Sequence, residues 1–429
     1  MKRLAVIFSI GCLALRALGT DVNAAPKLTL QDARRAAMTN HPAISVAMLR
    51  ALAARESVRE ARAAFLPNLG ANIVAVGTAR DGTRLAAAGG LGNPAIFERN
   101  AEGLVLSQLV TDFGRSGNLL DSARSRALAE ESNTLATRAQ IRLQVDAAFY
   151  EALQARSVAR VADQTLATRA LLLRQVSALA DNKLRSELDV RFAQVQVDEG
   201  NLLSAKARAE LAAARFQLAN LMGSRATPDF DLADEIVPTE QPEGADGLVA
   251  RALGSRPDLA RVRHERDAAR RFAAAEGALQ YPTLSVVGSA GVAPVRDPQI
   301  PENYAAGGIT VTFPLFAGNL YSARKKEAAL KARSAEEALR DAENTVVRDV
   351  RITHMHLVDA LARLRITARL VESSGLAYDL ARARYAVGAS SMLELNQAQL
   401  ALVSAEIAEA GSRYDYLSQR SLLEYQTGQ

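Results

Sequence analysis

The segment Leu66-Pro67-Asn68-Leu69 recurs 215 positions later as Tyr281-Pro282-Thr283-Leu284. Upstream of it, Asn40-His41-Pro42 recurs at the same offset as Ser255-Arg256-Pro257. Chance similarity between alanine-rich segments would not keep one register across prolines, which interrupt regular secondary structure. The constant offset therefore indicates that the chain contains two copies of one unit.

A second set of matches lies near the end of each copy. Leu188-Asp189 matches Leu393-Glu394, and Met222-Gly223 matches Thr427-Gly428, both at an offset of 205. The change of offset from 215 to 205 indicates a net difference of ten residues between the two copies.

These matches predict a first repeat over residues 25–223 and a second repeat over residues 247–429. The segment 224–246 between them is rich in proline and acidic residues. Such a composition interrupts helices and strands, so we interpret this segment as a linker packed along the surface.

Residues 1–24 have the pattern of a secretory signal peptide. Two basic residues precede an apolar stretch over residues 4–15, and Val22-Asn23-Ala24 offers a small-residue cleavage site. Cys12 is the only cysteine, so cleavage would leave a mature chain without one. The alternative, a lipoprotein anchored through Cys12, matches the lipobox poorly because Ser9 stands where leucine is preferred.

The composition favours long, closely packed helices over a bulky globular core. Apolar residues make up 49% of the chain, but it has no tryptophan and only 5% aromatic residues. Alanine contributes most of the apolar content, and alanine has the highest helix propensity. The formal net charge of +5 is modest for this length, which argues against a nucleic-acid partner.

Each repeat has the predicted order helix, strand, loop, strand and helical hairpin. Ile309 to Phe313 alternates between apolar and polar residues, the period-two pattern of a strand with one apolar face. The predicted strands cover residues 69–78, 103–111, 284–293 and 308–315. They form β-hairpins over about 67–112 and 282–317, with strands long enough to cross a bilayer at a tilt.

Helical hairpins are predicted over residues 113–223 and 318–428. The stretch from 117 to 181 contains no proline, and it would form a helix on the order of 95 Å long. Both returning helices carry apolar residues seven positions apart, the spacing of a coiled coil. These stripes are Leu188, Val195, Leu202, Ala209 and Phe216 in the first repeat, and Leu393, Leu400, Ile407 and Tyr414 in the second.

Four strands per chain predict a shared barrel. An open sheet edge cannot face lipid, because its N–H and C=O groups would have no partners. A dimer would supply eight strands, whose interior side chains fill, whereas a trimer would supply twelve and leave a lumen. We therefore expect an α+β membrane protein. Three chains would complete a 12-stranded β-barrel, continued by a long α-helical barrel in the periplasm.

Several motifs, in the same order, resemble the outer membrane efflux protein family, which is typified by TolC. The resemblance covers essentially the whole mature chain. It implies a homotrimeric channel in the outer membrane, in contact with its lipid, with a helical tunnel through the periplasm. It also implies two partners: a periplasmic adaptor protein, and an inner-membrane pump of the resistance-nodulation-division or ABC type. The motifs are Leu28-Thr29-Leu30, Asn40-His41-Pro42, Leu66-Pro67-Asn68-Leu69, Thr111-Asp112-Phe113-Gly114-Arg115, Phe313-Pro314-Leu315-Phe316-Ala317-Gly318 and Arg384-Tyr385-Ala386-Val387-Gly388.

The resemblance also implies which residues form the periplasmic entrance. Glu394 and Asp189 match acidic positions of the TolC tip, whereas Gln397 stands where TolC has a second acid. Ser390 replaces an arginine of the network that closes TolC, so the details of that network do not carry over. The implied entrance residues are Asp189, Tyr385, Gly388, Ser390, Glu394 and Gln397.

Two interpretations of the paired acids Asp189 and Glu394 are open. Threefold symmetry would place six carboxylates near the narrowest point, and charged rings of this kind select ions in channels. Alternatively, either acid serves only to cap a helix start, where a negative charge is favourable without any channel role.

The motifs of common enzymes are absent, including the P-loop, HExxH and GxSxG. His354 and His356 are two positions apart on a predicted helix, so they point to different faces and make a poor metal pair. We therefore predict a passive duct for drugs, small molecules or proteins, with no enzymatic activity, metal or cofactor. The alternatives are a periplasmic coiled-coil adaptor, which would have one hairpin, and a helical binding protein, which would lack the strand hairpins.

Overall fold

A computed structural model describes residues 27–76, 99–238, 241–295 and 301–429. The predicted signal peptide, the end of the first predicted strand at 77–78 and most of the loop after it lie outside the described residues. Within the described residues, every helix is too short or too polar to span a bilayer.

Two series of elements follow the same order. The first comprises α1 (Leu30–Asn40), α2 (Pro42–Ala63), β2 (Asn68–Val76), β3 (Arg99–Thr111), α3 (Arg115–Asp181) and α4 (Glu187–Leu221). The second comprises α5 (Ala245–Ser255), α6 (Pro257–Gly277), β5 (Thr283–Val295), β6 (Asn303–Thr312), α7 (Leu320–Ala386) and α8 (Met392–Gln426). A 3₁₀ turn over Ala278–Gln280 follows α6, and two short strands, β1 (Lys27–Leu28) and β4 (Asp231–Leu232), pair in parallel.

The helical hairpins of the two series match in length. The long helices α3 and α7 each have 67 residues, and the returning helices α4 and α8 each have 35. At 1.5 Å per residue, the long helices extend for about 100 Å. The short helices α2 and α6 begin at prolines in the first turn, where the missing N–H costs no hydrogen bond.

The four long strands form one antiparallel sheet in the order β2-β3-β5-β6. Strand β3 pairs with β5 and thereby joins the two series in one sheet. The helices nearest the sheet pack in the corresponding order, α2-α3-α6-α7, and those farther away in the order α4-α3-α8-α7. A cross-section through the helical part of the chain therefore cuts the four helices of one of these two orders. At the end farther from the sheet, α4 and α7 are the outer two.

The prediction of the fourth strand at 308–315 is wrong at both ends, because β6 covers Asn303–Thr312. Pro314 has no N–H to donate to a ladder, and it restricts the residue before it, so the strand ends ahead of it. At the other end, the prediction begins too late because Gly307 and Gly308 have weak strand propensity. The residues from Asn303 onward nevertheless pair with β5 and belong to the strand.

The largest core lies midway along the hairpins, where α1, α5 and β4 wrap around the long helices. Phe149, Leu153 and Leu218 are fully buried there. Arg34 of α1 makes a bidentate ion pair with the buried Asp146 of α3, with both nitrogen-to-oxygen distances at 2.6 Å. The paired carboxylate is satisfied by two donors, which offsets the cost of burying it.

Two glycines close the junctions where a returning helix meets the start of its own repeat. Gly223 follows α4 with φ 77° and Gly428 follows α8 with φ 76°, a left-handed conformation that favours glycine. A Cβ on Gly223 would lie 2.9 Å from Asn40 Cβ, and one on Gly428 would lie 2.6 Å from Ser255 Oγ. The matching positions seen in the sequence thus form equivalent contacts.

The apolar stripe of α4 does not face its own hairpin partner. Leu188, Val195, Leu202 and Phe216 are all exposed in the single chain, with Leu202 at 73%. The face of α4 that packs on α3 instead carries small or polar residues, including Ala193, Gly200, Ser204 and Ala207. The stripe of α8 is mixed, because Leu393 and Leu400 are exposed whereas Tyr414 is buried.

Candidate functional site at the helical tip

The tip is the end of the molecule at which both helical hairpins turn, far from the sheet. A separate apolar cluster packs the two hairpins against each other at this end. Its buried members come from all four hairpin helices, so the two turns are held in one unit. They are Val176 of α3, Ala193 of α4, Ala381 and Tyr385 of α7, and Met392 and Leu395 of α8.

The first turn closes with a full capping box. The Asp189 N–H donates to Ser186 Oγ at 3.2 Å, and the Ser186 N–H donates to Asp189 Oδ2 at 3.3 Å. The Ser186 hydroxyl also donates to Asp189 Oδ2 at 2.9 Å. Asp189 therefore satisfies two donors of its own turn, and its charge lies at the positive end of α4, where it is favourable.

The second turn has the same serine but a different arrangement of charge. Ser391 Oγ accepts the Glu394 N–H at 3.2 Å, and Glu394 Oε1 lies 3.3 Å from Arg384 Nη1. Gly388 permits the turn by adopting φ 78°. Ser390, at the position of the missing arginine, donates from its hydroxyl to the Ala381 carbonyl oxygen at 3.5 Å, a contact within the same hairpin.

One side chain reaches from the first turn to the second. Arg185 Nη2 donates to the Tyr385 carbonyl oxygen at 2.9 Å, and its guanidinium carbon lies 4.4 Å from the centroid of the Tyr385 ring. The Tyr385 hydroxyl is buried and has no hydrogen-bond partner among the described residues. Burial raises the pKa of Tyr385, with the Arg185 cation opposing and the Asp189 carboxylate adding to the shift.

The structure thus brings together most, but not all, of the predicted entrance residues. Asp189 and Tyr385 lie in one network with Arg185, whereas Glu394 belongs to a second network with Arg384. Gln397 is exposed. Asp189 caps its helix start, which fits the alternative of a capping role. Glu394 lies in the first turn of α8, but Ser391 caps that helix and the Glu394 carboxylate pairs with Arg384. Whether either acid lines a lumen stays a prediction.

Sequence analysis missed the two arginines that hold these networks. Arg185 precedes the N-cap of α4 and belongs to no apolar period or family motif, so no local signal marks it. Arg384 lies within the tip motif, and its spacing from Glu394 across a glycine turn was the available signal. Within the described part of the chain, no three His, Cys, Asp or Glu side chains are grouped to hold a metal ion.

The fold is shared with a class of solved proteins, the outer-membrane channels. The chain superposes on the solved channel protein CusC with a TM-score of 0.82 at 19% identity, covering 96% of this chain and 95% of that one. It also superposes on the MtrE outer membrane channel of Neisseria gonorrhoeae, with a TM-score of 0.77 at 20% identity and coverage of 96% and 93%.

Residues 33–224 and 248–429 match the model of the outer membrane efflux protein family, and the chain belongs to that family. A curated relative, outer membrane protein TolC of Escherichia coli, is 25% identical over 85% of this chain and 75% of its own length. The resemblance predicted from the motifs is therefore confirmed, as are the TolC-like fold and the outer-membrane location. The protein is an efflux channel and not an enzyme.

Proposed function

We propose that three copies of the chain form one exit duct, which receives substrate from an inner-membrane pump through a periplasmic adaptor and conducts it passively outward. The observation that carries the assembly is the open sheet. In the described part of the chain, β2 and β6 each have one neighbour, so their outer edges lack partners. Such edges cannot face lipid, and closure through further copies removes them.

Exposed apolar faces on the outer helices support the same assembly. One face is the α4 stripe of Leu188, Val195, Leu202 and Phe216. The other is on α7 and includes Ile366, Leu370, Leu376 and Leu380. Because α4 and α7 lie at opposite edges of the chain, the α4 face of one copy would meet the α7 face of the next, a head-to-tail contact that closes a ring.

The mass of the detergent-purified particle tests this assembly. We expect three chains per particle, and Leu202→Asp to dissociate them because it would bury an unpaired charge at each contact. A matched control is Asn201→Asp, which adds the same charge at an exposed position about 100° around the helix from Leu202 and outside the stripe. A monomer that keeps its strand content, or a trimer indifferent to Leu202→Asp, would contradict the proposal.

The partners follow the family's general role, since efflux channels work with pump systems. SrpC of Pseudomonas putida, for example, is a solvent efflux pump outer membrane protein and is 24% identical over 73% of this chain. We expect the adaptor to dock at the tip, and a photo-crosslinker at the exposed Gln397 to capture it in cells. The same crosslinker at Glu56, near the sheet, provides the control. Equal capture at both positions would argue against tip docking.

We further propose that Glu394 contributes a ring of carboxylates to the entrance. Glu394 is half-buried at the tip, and its carboxylate pairs with a single exposed arginine. The channel should then prefer cations, and Glu394→Lys should weaken or reverse that preference. Reversal potentials in planar bilayers under a salt gradient measure it. Glu187→Lys makes the same charge change on an exposed tip residue and serves as the control; an unchanged preference in the Glu394→Lys trimer would show that the acid does not line the path.

A further inference from the structure

The segment that leads from β6 into α7 combines exposed apolar side chains with clustered cations. Phe313, Leu315 and Phe316 follow the strand directly and are 64%, 92% and 86% exposed. Arg324, Lys325 and Lys326 then lie in the second turn of α7, and all three are exposed. We refer to residues 313–326 as the anchor segment.

Of the three cations of the anchor segment, Arg324 is attracted by the carboxylate of Glu327, whereas Lys325 and Lys326 have no such partner among the described residues. Lys331 pairs with Glu327 at 2.7 Å, but within the described residues no carboxylate lies within ion-pair distance of Lys325 or Lys326. The first turn of α7 contains no acidic residue. Positive charge is not favoured at the N-terminal end of a helix, so this cluster gains no stabilisation from the dipole of α7.

The equivalent segment of the first repeat is different, because it carries no such cations. Helices α3 and α7 both have 67 residues and begin 205 positions apart, so Arg324, Lys325 and Lys326 correspond to residues 119–121, which are two leucines and an aspartate. The cationic cluster is therefore a property of the second repeat and not of the general fold.

The position of the cluster matches the surface of the membrane. Strand β6 of the sheet ends at Thr312, immediately before the exposed aromatic residues. The long helix α7 begins beyond them, at Leu320. From Leu320 to Lys326 the helix rises by about 9 Å. The headgroup region on each side of a bilayer is about 5–8 Å thick, so the cations follow the apolar residues by roughly one headgroup layer.

We propose that the anchor segment binds anionic phospholipid headgroups in the periplasmic leaflet of the outer membrane. Girdles of aromatic residues flank the apolar band of outer-membrane barrels at both interfaces, and Phe313 and Phe316 would lie in such a girdle. Arginine and lysine just beyond that boundary bind lipid phosphates and are attracted by a negative surface. Charge complementarity and continuity with the membrane-embedded sheet select this partner.

Lipid binding to the purified channel tests the proposal directly. Native mass spectrometry would count phosphatidylglycerol or phosphatidylcholine molecules retained by the particle in neutral detergent. We expect the wild type to retain phosphatidylglycerol at least about tenfold more tightly than phosphatidylcholine, and added salt to weaken that preference. Equal retention of the two lipids by the wild type would overturn the proposal, whatever the variants do.

A triple variant assigns the preference to the cluster. Arg324→Gln/Lys325→Gln/Lys326→Gln should reduce phosphatidylglycerol retention toward the phosphatidylcholine level, because glutamine keeps a similar helix propensity without the charge. The control Arg365→Gln/Arg369→Gln/Arg382→Gln removes the same charge from α7 at least about 60 Å away and should change nothing. Equal losses in both variants, or none in the first, would contradict the assignment, as would full displacement of the lipid by inorganic phosphate.

A single fluorophore determines whether the segment faces lipid or lumen. The chain has no tryptophan, so Phe316→Trp introduces the only one. After reconstitution in vesicles that contain brominated phosphatidylcholines, its fluorescence should be quenched most by bromines near the headgroups. Absence of quenching at every bromine depth would place residue 316 away from lipid and overturn the proposal.

Discussion

The two turns at the tip share their caps but differ in what their charged residues hold. In the first turn, Ser186 and Asp189 satisfy each other, and the neighbouring Arg185 crosses to Tyr385 in the other hairpin. In the second turn, Ser391 caps in the same way, but Glu394 pairs with Arg384 of its own hairpin. Both repeats thus keep a serine cap at the start of the returning helix. The side chain that makes the polar contact between the two hairpins at the tip belongs to the first repeat.

The junction glycines provide the reference for this comparison, since they are equivalent in both repeats. Gly223→Ala and Gly428→Ala should each destabilise the protein by roughly 3 kcal/mol, the sum of a left-handed backbone and a steric overlap. Thermal unfolding of the detergent-solubilised protein measures the effect. Gly254→Ala is the control, because a Cβ there meets nothing within 4 Å. Strongly unequal losses of stability in the two glycine variants would contradict the equivalence of the two junctions.

At the tip, by contrast, we expect an unequal result. Arg185→Ala removes a charged hydrogen bond and a cation–π contact, which together contribute about 2 kcal/mol to holding the hairpins together. We expect this contact to be made only in the closed entrance, so its loss would shift the ratio of closed to open entrances by about 30-fold. Single-channel conductance should rise, and Arg185→Lys should restore only part of the closure because lysine lacks the planar fork.

The control for this experiment is Arg384→Ala, which removes an exposed ion pair within one hairpin. Exposed pairs contribute little, so conductance should barely change. If Arg384→Ala opened the channel as far as Arg185→Ala does, the first turn would have no special role.

Removing the two serine caps should lower stability by unequal amounts, both smaller than the effects described above. Ser186→Ala removes two bonds of the serine hydroxyl, one accepted from the Asp189 N–H and one donated to Asp189 Oδ2, at about 1.5 kcal/mol, whereas Ser391→Ala removes a single bond, at about 0.5 kcal/mol. Hydrogen exchange in the first turns of α4 and α8 should accelerate by about tenfold and about twofold respectively. Equal acceleration would mean that the bond donated by the Ser186 hydroxyl to Asp189 Oδ2 adds nothing.

The smallest effect is expected at the Tyr385 hydroxyl. Because this hydroxyl has no hydrogen-bond partner in the part of the chain that the structure describes, Tyr385→Phe should change stability by less than about 0.5 kcal/mol at neutral pH. Burial raises the pKa of Tyr385, so the folded tip is favoured below the ordinary tyrosine pKa and loses that contribution as pH rises through the raised value. Tyr385→Phe should remove this alkaline loss, and tip hydrogen exchange above about pH 10 measures it. A variant as alkali-sensitive as the wild type would show that another group titrates.

Much of the fold could be predicted from the sequence because prolines and glycines mark the element boundaries. The long first helix was placed at 117–181 and is found at Arg115–Asp181. The fourth strand was misplaced because apolar alternation continues up to a proline that the backbone cannot include. The seven-residue stripe of α4 was visible, but spacing does not say whether the partner is the same chain or another copy.

The network at the tip could be predicted only in part. Serine and acid three positions apart signal a cap, so the positions of Asp189 and Glu394 at helix starts followed from local chemistry. The Arg185–Tyr385 contact joins residues 200 positions apart and depends on how the two hairpins pack. A single sequence contains no local trace of such a pair.

The pairing of β3 with β5 has a consequence for how the protein is made. Synthesis runs from the N-terminus, so β2 and β3 emerge long before Thr283, the first residue of β5. An isolated two-stranded hairpin is marginally stable in water, and its apolar strands are prone to aggregate. The first half of the sheet therefore has no second half to pair with until about two thirds of the chain has been synthesised. The strand order thus imposes a delay between synthesis of the first hairpin and completion of the sheet within one chain.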